Sequence, residues 1–159
     1  MKMHSAVLSS ILAAVIIFSF TGFALAKEKA TREECVTKVK EAVKLIQKIG
    51  TEAAFKRIMD KSGPFIWKDS YVFCLDDKDA KIMAHAFPRV IGMPLKSWKD
   101  ADGKQPFTEV LEVSGTKGEG WKSYMHRKPG ARKPLLKTIY FIKEPASKTI
   151  VGAGYYKYE

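Results

Sequence analysis

Three histidines, two cysteines and a short cluster of aspartates are the side chains of this 159-residue chain that could ligate metals, act as nucleophiles or carry redox chemistry. Their spacing argues against each of these. His4 lies in the leading apolar stretch, so only His85 and His126 remain in the body of the chain, too few for a His-based metal centre. Asp76, Asp77 and Asp79 carry a D-x-D pattern, but the twelve-residue calcium loop with its terminal glutamate is missing, so they read as turn formers. No nucleophile elbow, zinc-protease helix or phosphate loop occurs, and no nucleophile–base pair stands out. The chemistry on offer is therefore recognition rather than turnover, and no cofactor is implied. Trp67, Tyr71, Trp121, Tyr124, Tyr140, Tyr155 and Tyr156 combine ring faces with polar tips that need partners when buried. Lys137, three residues before Tyr140, and Arg89 are the cations within reach of such a set. On a regular strand the three-residue spacing puts Lys137 and Tyr140 on opposite faces, so at most one of the two is a direct contact.

Cys35 and Cys74 have no redox, haem-attachment or zinc-knuckle spacing. In an oxidising compartment an even pair is expected to be bridged, which would stabilise by roughly 4 kcal/mol through loop closure. Two buried thiols are the alternative.

The elements that position these residues are legible in outline. Thr31 to Glu34 reads as a capping box, and Val36, Val39, Val43, Ile46 and Ile49 follow at helical spacing. Gly50 ends that helix, and a second piece runs from Glu52 to Asp60. Gly63-Pro64 then turns into a strand over 70–76. It alternates Tyr71, Phe73 and Leu75 with Val72 and Cys74, and its hairpin partner runs over 80–85. A loop holding Pro88, Pro94 and the turn Asp102-Gly103 leads to a short helix through Phe107, Val110 and Leu111. Strands over 121–127, 135–143 and 149–157 complete about five antiparallel strands behind a long N-terminal helix. Phe65, Phe73 and Phe141 are assigned to the core, and Gly152 and Gly154 leave room on one face of the last strand. Periodicity alone supports an α+β fold with an antiparallel sheet.

Residues 1–26 are of another kind. Lys2 is their only formal charge, Ser5 to Ala26 is apolar or small, and Ala24-Leu25-Ala26 precedes Lys27. This reads as a secretory signal peptide cut after Ala26, with an uncleaved membrane anchor as the alternative. Residues 27–159 then form a single domain, long enough for a proper core. Removing Lys2 lowers the formal net charge from +11 to +10. The lysines and arginines are scattered among acids, as on a solvated surface with a mild attraction for anions. Export to the periplasm or beyond argues against a nucleic-acid partner, and contact with the membrane is expected only if the first segment is retained. No further apolar run of spanning length follows, so the expectation is a chain without an output module of its own.

The runs GPFIWKDSYVFCLDD, MAHAFPRVIGMPL, KDADGKQPF, GEGWKSYMHRKPG, KTIYF and VGAGYY, in that order over residues 31–159, resemble the single Cache domain (type 2), a small extracytoplasmic sensor domain of bacteria. The resemblance implies a PAS-like α+β fold with the ligand on the sheet face away from the long helix. It further implies that Tyr71, His85, Trp121, Tyr124 and Tyr140 face that pocket, and it matches Lys137 to a lysine-x-x-tyrosine strand. With Trp67 and Arg89 added, the candidate ligand-binding set is Trp67, Tyr71, His85, Arg89, Trp121, Tyr124, Lys137 and Tyr140. The expected ligand is a small organic molecule, above all a short carboxylate, bound without chemical change. The expected partner in signalling is a separate membrane-bound protein. The competing expectation is an interaction module that modulates a membrane kinase or respiratory partner and binds no ligand. For Lys137 the plain alternative is a solvated surface lysine; for His85, a structural histidine closing the hairpin.

Overall fold

The computed structural model describes residues 28–158. The expected signal peptide, 1–26, lies outside them. The chain runs α1 (Arg32–Ile49), α2 (Thr51–Ile58), β1 (Ile66–Trp67), β2 (Ser70–Asp76), β3 (Ile82–Ala84), a 3-10 turn (Pro88–Val90), α3 (Pro106–Lys117), β4 (Glu119–His126), β5 (Leu135–Glu144) and β6 (Thr149–Lys157). Five of the six strands are those expected. The sixth, β1, is a two-residue ribbon, too short to leave a period in the sequence.

The capping box forms as read. Thr31 Oγ1 accepts from the Glu34 amide at 3.2 Å, and the Glu34 carboxylate accepts from the Thr31 amide at 2.9 Å. Two orphan donors of the helix start are thus satisfied reciprocally. Gly50, at φ 77°, ends α1 and is also the N-cap of α2, whose first residue is Thr51. A side chain would be strained at that φ, which is why the break falls there.

The sheet is antiparallel throughout, in the order β1-β2-β6-β5-β4, with β3 pairing the far end of the same edge of β2 that β1 pairs at its start. Successive side chains alternate between two faces. One face packs on α1 and α2 through Val39, Ile46, Ile58, Phe65, Val72, Val151 and Ala153. The other carries Phe73, Leu75, Ile139, Phe141 and Ile150 against Phe107 and Val110 of α3. Gly152 and Gly154 lie on this second face. A Cβ on Gly152 would sit 2.5 Å from the Phe73 ring, and one on Gly154 would sit 3.0 Å from Cε of Lys137 and 2.7 Å from Ile139. The two glycines make room for a ring and for a lysine stem.

The expected Cys35–Cys74 bridge is not formed. Both cysteines are free and fully buried in the helix-side core. Cys35 meets the sheet at the Ser70 hydroxyl. Cys74 lies four residues further along β2, about 13 Å at strand rise, beyond the roughly 7 Å Cα separation that a bridge tolerates. Burial pushes the Cys35 thiol up to about 12 and the Cys74 thiol higher still, so both behave as small apolar groups.

Candidate functional site

Between β3 and α3 the chain crosses the sheet face opposite α1 and α2 as a long loop, and polar groups pin it at both ends. Near its start, Ile82 N–H donates to Met93 O at 2.9 Å and Gly92 N–H to Ile82 O at 2.7 Å, with Gly92 at φ 87°. Near its end, Asp100 accepts from the amides of Asp102 (3.0 Å), Lys104 (2.9 Å) and Met125 (3.1 Å), tying the Asp102-Gly103 turn to β4. The hairpin aspartates are structural as well. Asp76 accepts the amides of Lys78 and Asp79, and Asp77 pairs with Lys143 at 2.9 Å.

The space under this loop is a pocket with a cavity volume of about 330 Å³. Its floor is the sheet, through Tyr71, Phe73 and Leu75 of β2, Tyr124 and His126 of β4, and Lys137 of β5. The loop supplies His85, Phe87, Arg89, Val90, Met93, Leu95 and Trp98. Tyr124 pairs directly with Lys137 across β4 and β5, and Lys137 pairs with Tyr156 across β5 and β6. Strand register therefore groups these three polar tips.

Lys137 is 4% exposed, which rules out the solvated-surface alternative. Its ammonium donates to Tyr71 Oη at 3.3 Å and lies 4.7 Å from the Tyr71 ring centroid and 5.3 Å from that of Tyr156. Among the described residues no carboxylate lies within 4 Å of it, and no Asp or Glu lines the pocket. Burial pushes the lysine pKa down, with Tyr156 opposing the shift. Burial alone raises Tyr71 to about 12. A buried cation that meets only neutral oxygen and ring faces has spare capacity for an anion.

Two imidazoles flank it. Nδ1 of His85 accepts from the Phe87 amide at 3.0 Å, so in the neutral ring Nε2 carries the proton and is a donor. Nδ1 of His126 bonds Tyr156 Oη at 3.1 Å. Burial, reinforced by the Lys137 charge, pushes each ring down to about 4 from 6.5. Below pH 6.5 the unfolded chain then takes up protons that the folded chain refuses. Stability from these rings is full above pH 6.5 and is lost as pH falls toward 4, by up to about 3 kcal/mol per ring before solvent screening. Urea unfolding of the unliganded protein is expected to show a lower midpoint at pH 4.5 than at pH 7. An unchanged midpoint would mean that both rings titrate freely in the fold.

Of the eight residues expected at the site, the structure brings together Tyr71, His85, Arg89, Tyr124 and Lys137. The other three are on the helix side. Tyr140 is in the α1 core, and Trp121 packs against it in a tilted pair at 4.9 Å between centroids while Arg32 of α1 covers the indole at 3.8 Å. Trp67 packs against the same core, its indole N–H reaching Glu34 at 3.4 Å. For Trp121 and Tyr140 the cause is strand parity: Trp121 and Tyr124 are three apart on β4, and Tyr140 is three from Lys137 on β5, so one of each pair must face away. Parity also identifies what the expectation missed. His126 stands two residues after Tyr124, on its face of β4. Trp98 and Phe107, which complete the wall, carry no such periodic signal, because loop closure and helix packing bring them in.

Among the described residues no group of three or more potential metal ligands occurs, and no Ser, Thr or Cys lines the pocket. No helix among them is long and apolar enough to cross a membrane.

A helix-backed antiparallel sheet with a loop-covered pocket on the face away from its long helix is the plan of PAS-like α+β sensor domains. The chain belongs to the Single Cache domain 2 family, which matches it over residues 13–158. Among curated proteins it is similar to the methyl-accepting chemotaxis protein McpP of Pseudomonas putida, 32% identical over 89 residues, which is 55% of this chain and 16% of that protein. The chain thus spans only a small part of the receptor it matches. Among solved structures, a Cache chemosensory domain studied for carboxylic acid recognition superimposes with a TM-score of 0.65 at 25% identity, covering 78% of this chain and 91% of that one. A methyl-accepting chemotaxis protein of Vibrio parahaemolyticus (TM-score 0.63, 20% identity, 78% and 86% covered) and a periplasmic sensor domain of a chemotaxis protein (0.58, 20%, 78% and 88%) share the fold.

Proposed function

We propose that this Cache domain senses a small carboxylate outside the cytosol, binding it without chemical change and reporting its presence to a membrane-bound signalling protein. The observation that carries this reading is the Lys137 ammonium, buried on the pocket floor beside Tyr71 with no carboxylate partner among the described residues. An incoming carboxylate would complete it and could also accept from Tyr71 Oη and His85 Nε2. Likeness to a domain studied for carboxylic acid recognition supports the ligand class. The apolar leader of the sequence and the fold shared with a periplasmic sensor domain support the location. Arg89, exposed at the rim, serves as a steering charge rather than as the main contact.

A thermal-shift and calorimetric panel of small carboxylates, amines and neutral analogues tests this. At 100 times its Kd a true ligand adds about 2.7 kcal/mol of stability. Stabilisation by carboxylates alone is expected. No response to any carboxylate would leave a domain that works through protein contacts.

A further inference from the structure

The pocket has two chemically distinct parts. Its polar groups gather on one stretch of floor, where Lys137, Tyr71, Tyr124 and His126 come together with His85 above. Apart from Arg89 and Arg127 at the rim and the Trp98 indole, the rest of the lining is hydrocarbon. β2 carries the change in character: Tyr71 at the charged end gives way to Phe73 and then to Leu75, which pairs with Ile82. The loop continues the apolar wall with Val90, Met93 and Leu95. Phe87 and Met93 remain 40% and 45% exposed at the mouth, although water-facing apolar side chains of this size gain from being covered. A two-carbon acid at Lys137 would leave most of the 330 Å³ to water against these walls, which offer water no hydrogen bonds. The charge balance is equally selective. One buried ammonium on the floor, with the two lining arginines at the rim, suits a single buried negative charge, and no carboxylate lines the pocket to pair with the ammonium of an α-amino acid.

We infer that the ligand is a monocarboxylate with an extended apolar body, aliphatic or aromatic and without an α-amino group, and that the pocket favours it over the smallest acids. This rests on the carboxylate reading of the same pocket.

Calorimetry on the full domain with acetate, butyrate, hexanoate, norleucine and adipate tests it. Each buried methylene is worth about a fourfold change in Kd, so hexanoate is expected to bind at least about thirtyfold tighter than acetate, with butyrate between them. Norleucine, which is hexanoate with an α-ammonium, is expected to bind at least about a hundredfold more weakly than hexanoate, the buried ammonium finding no carboxylate to pair with and lying close to the Lys137 charge. Hexanoate binding must also be lost in Lys137→Met, which separates the pocket from nonspecific adsorption to the apolar mouth. Acetate binding as tightly as hexanoate would overturn the inference while leaving the carboxylate reading intact. So would adipate binding tighter than hexanoate, because its second charge would then be finding Arg89 or Arg127 at the rim. Failure of every acid to bind would overturn both.

Discussion

Replacing Lys137 with methionine is expected to abolish carboxylate binding and, at the same time, to stabilise the unliganded domain. The two effects share one cause. The ammonium is buried on the pocket floor, its hydrogen bond to Tyr71 is long at 3.3 Å, and among the described residues no carboxylate lies within 4 Å of it to offset its lost hydration. A well-packed apolar side chain of similar length removes that cost, a gain on the order of 1–4 kcal/mol for buried charges. Removing the cation that faces a buried carboxylate costs about 3–5 kcal/mol, a loss of at least about a hundredfold in affinity. Urea unfolding of the empty protein and calorimetry with the best-binding acid measure the two effects separately. A purely structural lysine would give the opposite pattern, with lower stability and unchanged binding in the variant. A third readout is independent of both. The Lys137 charge helps to hold His85 and His126 near 4, so an NMR titration of the variant is expected to move both rings upward.

The second large effect concerns a residue with no side chain. Gly152→Ala is expected to destabilise the fold by about 3 kcal/mol. The new Cβ would meet three atoms of the Phe73 ring at 2.5, 2.8 and 3.2 Å. That ring is 5% exposed and packed between the sheet and α3, so it can give way only by leaving that packing for the pocket it floors. Phe73→Leu in the same chain is expected to restore most of the loss, because the branched side chain ends short of the clash. The coupling between the two positions in a double-mutant cycle is the measurement. Additive losses would mean that Gly152 is needed for its backbone and not for the ring above it. Phe73 also floors the pocket, so the rescued protein is expected to bind a different range of tail lengths from the wild type.

Both predictions depend on which face of the sheet a residue occupies, and that is where the sequence was partly legible. The capping box, the helix break at Gly50, the alternation of Tyr71, Phe73 and Leu75 against Val72 and Cys74, and the order of the five longer strands all rest on short-range rules. They stand in the structure as read, apart from the two-residue β1. The family resemblance located Tyr71, His85, Tyr124 and Lys137 in segments that do converge. It did not separate Trp121 from Tyr124 or Tyr140 from Lys137, although three-residue spacing forbids each pair from sharing a face.

The sequence by itself determined the local elements, their order, and the parity of every strand residue relative to its neighbours, because these depend on contacts a few residues apart. Only the tertiary structure decided which parity is the pocket. That choice follows from where α1 and the loop between β3 and α3 pack, and from the registers that set Trp121 beside Tyr140 and Tyr124 beside Lys137. It also decided that Cys35 meets the sheet at Ser70, out of reach of Cys74. It closed a wall with Trp98 and Phe107 as well, which no spacing announces. Such pairings join residues dozens of positions apart, and the free energy that fixes them is burial shared across the whole core, which no single segment of the chain carries.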